Sequence, residues 1–308
     1  MPKVIITPRS YGLHSPSVWK TWEDRGFECI CEPGPLSEET LSRLLSDADA
    51  LIVGTDKVTE RVLEQAPALK IVSKYGVGVD NIAVDFAQSR GIEVTNTPGV
   101  NTEAVADYTF ALILSLARRV PQSHIDVVQG QWKKSVGFEI WGKTIGILGL
   151  GAIGKGVARR AKGFNMKILA YDLYPDNAFA TEQNVEFVDL ETVLRSSDIL
   201  SLHLALTPQT YHLIGRKELS LMKQDAMLIN TARGGIVDED ALFQALHNRQ
   251  IGGAALDVFQ NEPPEDTPLR KLDNVILTSH NAAASVEAII RMTEQSTKNV
   301  IEFFEKSL

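Results

Sequence analysis

Arg233, Glu262 and His280 stand on separate loops of the chain, each loop following an apolar run that reads as a strand. A guanidinium grips a carboxylate through two parallel hydrogen bonds. An imidazole exchanges protons near neutral pH, and a carboxylate beside it orients it and tunes its pKa. The three types together suit hydride transfer to a 2-oxo acid. The cation would fix the acid group and polarise the ketone, the histidine would quench the developing alkoxide, and the glutamate would steady the histidine. Taken singly each has a plainer reading: a surface or ion-pair arginine, a loop-surface glutamate beside Pro263, a histidine satisfying a strand-end hydrogen bond.

What shifts the balance is the stretch 144–172. A strand, Thr144-Ile-Gly-Ile-Leu-Gly-Leu150, runs into Gly149-Leu-Gly-Ala-Ile-Gly154, then a helix, a second strand and Asp172. Gly149 permits a tight turn, Gly151 lets the backbone approach a pyrophosphate, and Gly154 lets helix and strand pack closely. The helix from Ala152 aims its free N–H groups and positive dipole end at the phosphates. Asp172 can accept hydrogen bonds from an adenosine ribose, and Leu173, Tyr174 and Pro175 bring no cation for a 2′-phosphate. The reading is dinucleotide binding, with NAD preferred to NADP.

The elements that must hold these groups alternate. Strand-like runs at Val4–Thr7, Phe27–Cys31, Ala50–Val53, Lys70–Ser73 and Glu93–Thr95 are separated by helical segments starting near Ser15, Ser37, Thr59 and Val84. Ser37 and Thr59 read as N-caps. Strands near 145–149, 167–171, 199–203, 227–231, 254–257 and 275–278 repeat the pattern. Such alternation makes parallel sheets with helices on both faces. The fold class is therefore α/β with two doubly wound domains around a cleft: 1–98 with 285–308 for substrate, and 99–284 for cofactor. A helix from Thr102 to about Arg119 is too apolar for one exposed face, and is expected between domains or subunits. The last helix, Ser285 to about Lys306, is expected to return to the first domain.

Composition sets further bounds. The net charge of −8 argues against a nucleic-acid or membrane footprint, and 44% apolar with 23% charged residues is globular. No run is apolar enough for a membrane helix, and Met1-Pro2-Lys3 is expected to enter a strand rather than a signal peptide. Cys29 and Cys31 read as packing residues in a reducing cytosol, so the protein is expected to be cytoplasmic. Two thiols make a poor metal site, and no metal is expected. His14, His124, His203, His212 and His247 are taken as structural or exposed, and Trp19, Trp22, Trp132 and Trp141 as core or interface.

Gly149-Leu-Gly-Ala-Ile-Gly154, Asn230-Thr-Ala-Arg-Gly-Gly235, Ala255-Leu-Asp-Val-Phe259, Asn261-Glu-Pro263 and Ser279-His-Asn-Ala-Ala283 together resemble the D-isomer-specific 2-hydroxyacid dehydrogenases. The likeness covers nearly the whole chain. It extends to Lys74-Tyr-Gly-Val-Gly-Val-Asp-Asn81, similar to that family's substrate-carboxylate loop, where Gly76 and Gly78 can free N–H groups for an anion-binding nest. The resemblance implies a Rossmann-type cofactor domain, a flavodoxin-like substrate domain and a homodimer joined through the apolar helix near 102–119. Carried over residue by residue, it implies Arg233, Glu262 and His280 as catalytic. It implies cofactor contacts at Val77, Gly149, Gly151, Ala152, Ile153, Gly154, Asp172, Thr207, Thr231, Ala232, Arg233, Asp257, His280 and Ala283. Substrate contacts fall on Lys74, Tyr75, Gly76, Val77, Gly78 and Arg233.

Within the family, Val77-Gly-Val-Asp-Asn81 and Asn96-Thr-Pro-Gly99 are most similar to the phosphoglycerate dehydrogenase branch. Against that assignment, Gly54-Thr-Asp-Lys57 offers one lysine, with Lys74 a second, where a phosphate-binding arginine is expected, and Asp56 would repel a phosphate. Asp107 replaces an expected glutamate, and no regulatory extension is expected after Leu308. The substrate is thus a small D-2-hydroxy or 2-oxo acid, 3-phosphoglycerate being one candidate and glyoxylate or hydroxypyruvate the alternative. Two other readings stand beside it: a non-catalytic NAD-sensing scaffold of this fold, and an enzyme taking hydride from formate or phosphite. Side-chain choice is expected from loops near 10–14, 54–57 and 74–78.

Overall fold

Short buried strands punctuated by capped helices build two parallel sheets in the computed structural model, which describes residues 1–306. The ends of the expected first domain and of the chain, at 307 and 308, lie outside the described residues. One compact unit comprises Met1–Asn101 and the chain from Ala284 onward; the other is Thr102–Ala283.

The first unit holds β1 (Lys3–Ile6), β2 (Glu28–Cys31), β3 (Ala50–Val53), β4 (Ile71–Lys74) and β5 (Glu93–Thr95), all parallel in the order β2-β1-β3-β4-β5. This is the flavodoxin-like winding. β3 and β4 are buried along their whole length, as their Val- and Ile-rich sequences require. Helix Glu38–Leu45 starts at Ser37, whose side chain accepts the Thr40 N–H, and helix Glu60–Glu64 starts at Thr59 in the same way. These helices pack Leu41, Leu45, Val62 and Leu63 against Ile5, Leu51 and Val72. The last helix, Val286–Lys306, fastens to the same unit: Tyr75 Oη donates to the Ile289 carbonyl at 3.1 Å, and Ser73 Oγ to that of Ser296 at 3.2 Å. β2 is an edge strand, so Cys31 is exposed and Cys29 only half-buried, a correction to their expected packing role.

The second unit holds β6 (Thr144–Leu148), β7 (Lys167–Tyr171), β8 (Val185–Phe187), β9 (Ile199–Leu202), β10 (Met227–Asn230), β11 (Gly253–Leu256) and β12 (Val275–Leu277). Their order is β12-β11-β10-β9-β6-β7-β8, all parallel. This is Rossmann-type winding whose direction reverses between β6 and β9. The helix Thr102–Arg118 does not wait for a second domain or subunit. It buries Ala106, Phe110 and Ile113 with Val157, Ala158 and Ala161 of the helix Ala152–Gly163, over Ile147 and Ile229 of the sheet. Arg160 fastens the two helices by pairing with Glu103 at 2.8 Å and Asp107 at 2.7 Å. Large exposed apolar side chains lie just beyond it, among them Val128, Trp132, Val136 and Trp141. Of the tryptophans, Trp22 is core while Trp132 is 90% exposed. Because β10, β11 and β12 are sheet neighbours, the loops leaving their carboxyl ends lie side by side.

Candidate active site

The loop after β10 is shaped by Asn230, whose Oδ1 accepts the Ala232 N–H at 3.0 Å and whose Nδ2 donates to the Arg233 carbonyl at 2.8 Å. Arg233 is extended and half-buried, and its Nη1 donates to the Ala232 carbonyl at 2.7 Å. Gly234 then lies directly on the backbone of the next loop: a Cβ there would overlap the carbonyl group of Phe259. Close approach of two backbones requires glycine here.

The loop after β11 begins at Asp257, which is fully buried. Its Oδ1 accepts from Thr278 Oγ1 at 2.6 Å and from the Asn281 N–H at 2.8 Å, and its Oδ2 from the Ala282 N–H at 2.8 Å. Its carbonyl accepts the His280 N–H at 2.8 Å. One residue therefore fastens the whole loop after β12. That loop holds His280 at φ +54°, a left-handed conformation that costs a non-glycine residue about 1–3 kcal/mol. Backbone strain of this kind persists where the surroundings over-determine it, as the Asp257 bonds do.

Glu262 completes the set. Its Oε1 accepts the Phe259 N–H at 3.0 Å, and its Oε2 lies 2.7 Å from His280 Nδ1. Burial raises the Glu262 pKa. The hydrogen bond and charge of His280, the Phe259 N–H and the charge of Arg233 outweigh it, leaving the carboxyl below its ordinary range. An ionised carboxylate only accepts, so Nδ1 carries the shared proton and Nε2 is the ring nitrogen left for a reactant. The two side chains are 35% and 30% exposed, open enough to be reached.

Along the same carboxyl edge of the sheet, just after β6, Gly149 sits at φ +91°. Gly154 packs so tightly that a Cβ would overlap the Gly149 carbonyl oxygen, whereas a Cβ on Gly151 meets nothing within 4 Å. Gly151 caps the helix Ala152–Gly163 without a side chain, leaving the first-turn N–H groups for an anion. Asp172, at the end of β7, accepts the Leu150 N–H at 2.6 Å and the Tyr174 N–H at 2.9 Å. These residues fit a dinucleotide: an open glycine cradle, a helix start and an acid at the end of the adjacent strand. Ala152 and Thr207 are exposed, and Ile153, Ala232 and Ala283 half-exposed. Thr231 is buried, its hydroxyl 3.0 Å from that of Thr109, which itself donates to the Val105 carbonyl.

The 74–78 loop belongs to the first unit and is described within it. Lys74 is buried, its Nζ donating to the Gly54 carbonyl and to Asn81 Oδ1 at 2.7 Å. Tyr75 is buried against the last helix. The Gly76 N–H goes to Thr97 Oγ1 at 3.0 Å, so a nest here would use the next two N–H groups, of Val77 and Gly78. Asp56 turns inward, accepting from Thr7 Oγ1 at 2.5 Å and the Leu36 N–H at 2.7 Å.

Three residues around the site carry no sequence signal of their own: Glu239, whose Oε1 accepts the Gln260 N–H at 2.6 Å, Gln260 itself, and Thr278. An acid opening a helix reads as a dipole partner, and only the fold shows where its carboxylate goes.

A family model described as the D-isomer specific 2-hydroxyacid dehydrogenase, NAD binding domain, matches residues 110–282. The glyoxylate reductase of Korarchaeum cryptofilum is 48% identical over 280 residues, covering 88% of this chain and 84% of the relative. The D-3-phosphoglycerate dehydrogenase of Methanocaldococcus jannaschii is 44% identical over 94% of this chain but only 55% of its own length. Among solved structures, the TT0316 protein from Thermus thermophilus superposes with a TM-score of 0.90 at 36% identity, over 99% of this chain and 97% of that one.

Proposed function

Because the chain belongs to the D-isomer specific 2-hydroxyacid dehydrogenase family, we propose that it moves hydride between NAD(H) and a short, unphosphorylated D-2-hydroxy/2-oxo acid of the glyoxylate or hydroxypyruvate kind. The observation that carries this reading is the His280–Glu262 pair at 2.7 Å, on loops neighbouring that of Arg233. Bound NADH supplies the hydride. Gly149, Gly151, Ala152, Ile153 and Gly154 hold its pyrophosphate and Asp172 its ribose. Thr207, Thr231, Ala232, Asp257, Ala283 and Val77 are assigned to the rest by family likeness. Arg233 grips the acid's carboxylate and polarises its ketone. His280 delivers a proton from Nε2 to the carbonyl oxygen, while Glu262 holds Nδ1 and favours the protonated ring. The N–H groups of Val77 and Gly78 are assigned to the acid group as well.

The preference for an unphosphorylated acid rests on charge. In the turn after β3 the Asp56 carboxylate is spent on Thr7 and Leu36, and the Lys74 ammonium on Gly54 and Asn81. Exposed Lys57 is then the cation that this turn offers to a doubly ionised phosphate. The 3-phosphoglycerate reading keeps the support of the Methanocaldococcus relative.

The reading includes a homodimer and a cytoplasmic location. Support for the dimer comes from the exposed apolar side chains between Val120 and Trp141, beyond the helix first assigned to it. Support for the compartment comes from two free cysteines. No helix among the described residues is long and apolar enough to cross a membrane.

The test is loss of NADH absorbance with glyoxylate, hydroxypyruvate, pyruvate and phosphohydroxypyruvate. The expected order of kcat/KM puts glyoxylate or hydroxypyruvate first. No turnover with any 2-oxo acid would overturn the reading, and preference for the phosphorylated acid would overturn its substrate half.

A further inference from the structure

Glu239 opens the helix Glu239–His247, yet it does not make the cap: Asp238 does, its side chain accepting the Ala241 N–H at 3.0 Å. The Glu239 carboxylate crosses instead to the loop after β11, where Oε1 accepts the Gln260 N–H at 2.6 Å. One residue earlier, the Phe259 N–H donates to Glu262 at 3.0 Å. Consecutive peptide N–H groups are thus divided between two carboxylates. The Gln260 side chain is tied as well, its Nε2 donating to Tyr211 Oη at 3.0 Å. Any shift of the Gln260 peptide carries Phe259 with it, and through Phe259 the carboxylate that holds His280.

We infer that Glu239 is a positioning residue for Glu262, fixing the loop that sets the His280–Glu262 contact and adding a negative charge beside that pair. The inference rests on the proposed proton-delivering role of the pair. The groups that face Glu239 agree with it. Burial raises its pKa most, the Gln260 N–H lowers it, Asp240 and Glu262 raise it by charge, and His212 lowers it, leaving it raised overall. Two carboxylates therefore feel one another across this loop. His212, stacked on Tyr211 with its ring centroid 4.0 Å away, has a buried Nε2 without a hydrogen-bond partner.

The experiment compares E239A, E239Q, E262Q and the doubles E239A/E262Q and E239Q/E262Q, with thermal melts confirming that each folds. E239A loses both acceptor and charge, and its kcat with the best 2-oxo acid should fall about tenfold, with KM and NADH affinity changed less than about twofold. E239Q keeps an oxygen for the Gln260 N–H. Its kcat should return to within about threefold of the parent. Its alkaline limb of kcat/KM for reduction should move to lower pH, because the pair has lost a neighbouring negative charge. In the E262Q background either change should cost less than about twofold more, since both act through the same pair. Losses that multiply in the doubles would overturn the inference, as would a parent-like E239A, or an E239Q no better than E239A with an unmoved pH limb. Should E239A not fold, E239Q and its double decide by the same criteria. A fully active E262Q would overturn the role of Glu262 itself and this inference with it, whereas an impaired E262Q beside an unaffected E239A and E239Q overturns this inference alone.

Discussion

Gly234 rests on the backbone of Phe259 with no room for a methyl group between them. That contact sets the spacing between the loop of Arg233 and the loop of Glu262. Gly234→Ala must push them apart, at a cost of about 1–3 kcal/mol for overpacking. Misplacement of about 1 Å at reacting groups costs on the order of 10²-fold in rate. The variant should melt a few degrees lower and lose kcat/KM by that factor. A parent-like kcat/KM would show that the contact does not govern the site.

The three fingerprint glycines should fail differently. Gly151→Ala adds a methyl into open space, so the melting temperature should stay unchanged while NADH affinity falls about tenfold or more, about 1.4 kcal/mol. Gly154→Ala overlaps the Gly149 carbonyl and should destabilise the unit itself. Melts and NADH fluorescence titrations separate the two effects. Undiminished NADH binding by Gly151→Ala would remove the pyrophosphate from this turn.

On the proposed reading, Glu262 should set the acid side of the pH profile. Its carboxyl is held below the ordinary range by His280, Phe259 and Arg233 despite burial. A group depressed on folding stabilises fully above its unfolded pKa, and the contribution fades as pH falls through the folded value. Reduction of a 2-oxo acid should therefore show no acid-side loss from this group until pH drops below about 4.3, the ordinary glutamate value. Glu262→Gln should lower kcat by about 10²-fold and abolish that limb. Profiles of kcat/KM against pH for both proteins test this; persistence of the limb in the variant would assign it to another group.

Asp257 answers for the loop that carries His280. Asp257→Ala strands the Thr278 hydroxyl and the Asn281 and Ala282 N–H groups, each costing about 1–3 kcal/mol if left buried and unpaired. Urea unfolding should show a loss of several kcal/mol, and His280 should relax from its positive φ. A variant as stable as the parent would mean that water replaces the carboxylate without penalty.

What could be read from the chain alone follows from the range of each interaction. Gly149, Gly151 and Gly154 were legible because a tight turn and two close approaches are local requirements, written at a fixed spacing. Arg233, Glu262 and His280 were legible as types, and their neighbouring loops followed from strand order. β8 was missed because Val185–Phe187 is a three-residue edge strand with exposed Glu186 at its centre, so unlike the equally short β5 and β12 it holds no two consecutive apolar or β-branched residues. The helix Thr102–Arg118 announced that it is buried but not by what, since its apolar residues say nothing about their partners. Glu239 and Asp257 were out of reach in their positioning roles, because the donors they meet lie 21 or more residues downstream.

Arg233, Glu262 and His280 all issue from the stretch Thr102–Ala283, while the loops assigned to tell one acid from another issue from the rest. On the proposed reading, the proton-delivering groups and most of the groups that choose among acids thus lie on different units. If that reading holds, a chimaera that keeps Thr102–Ala283 and takes its remaining segments from a relative should retain the His280–Glu262 pair and change its preference among acids.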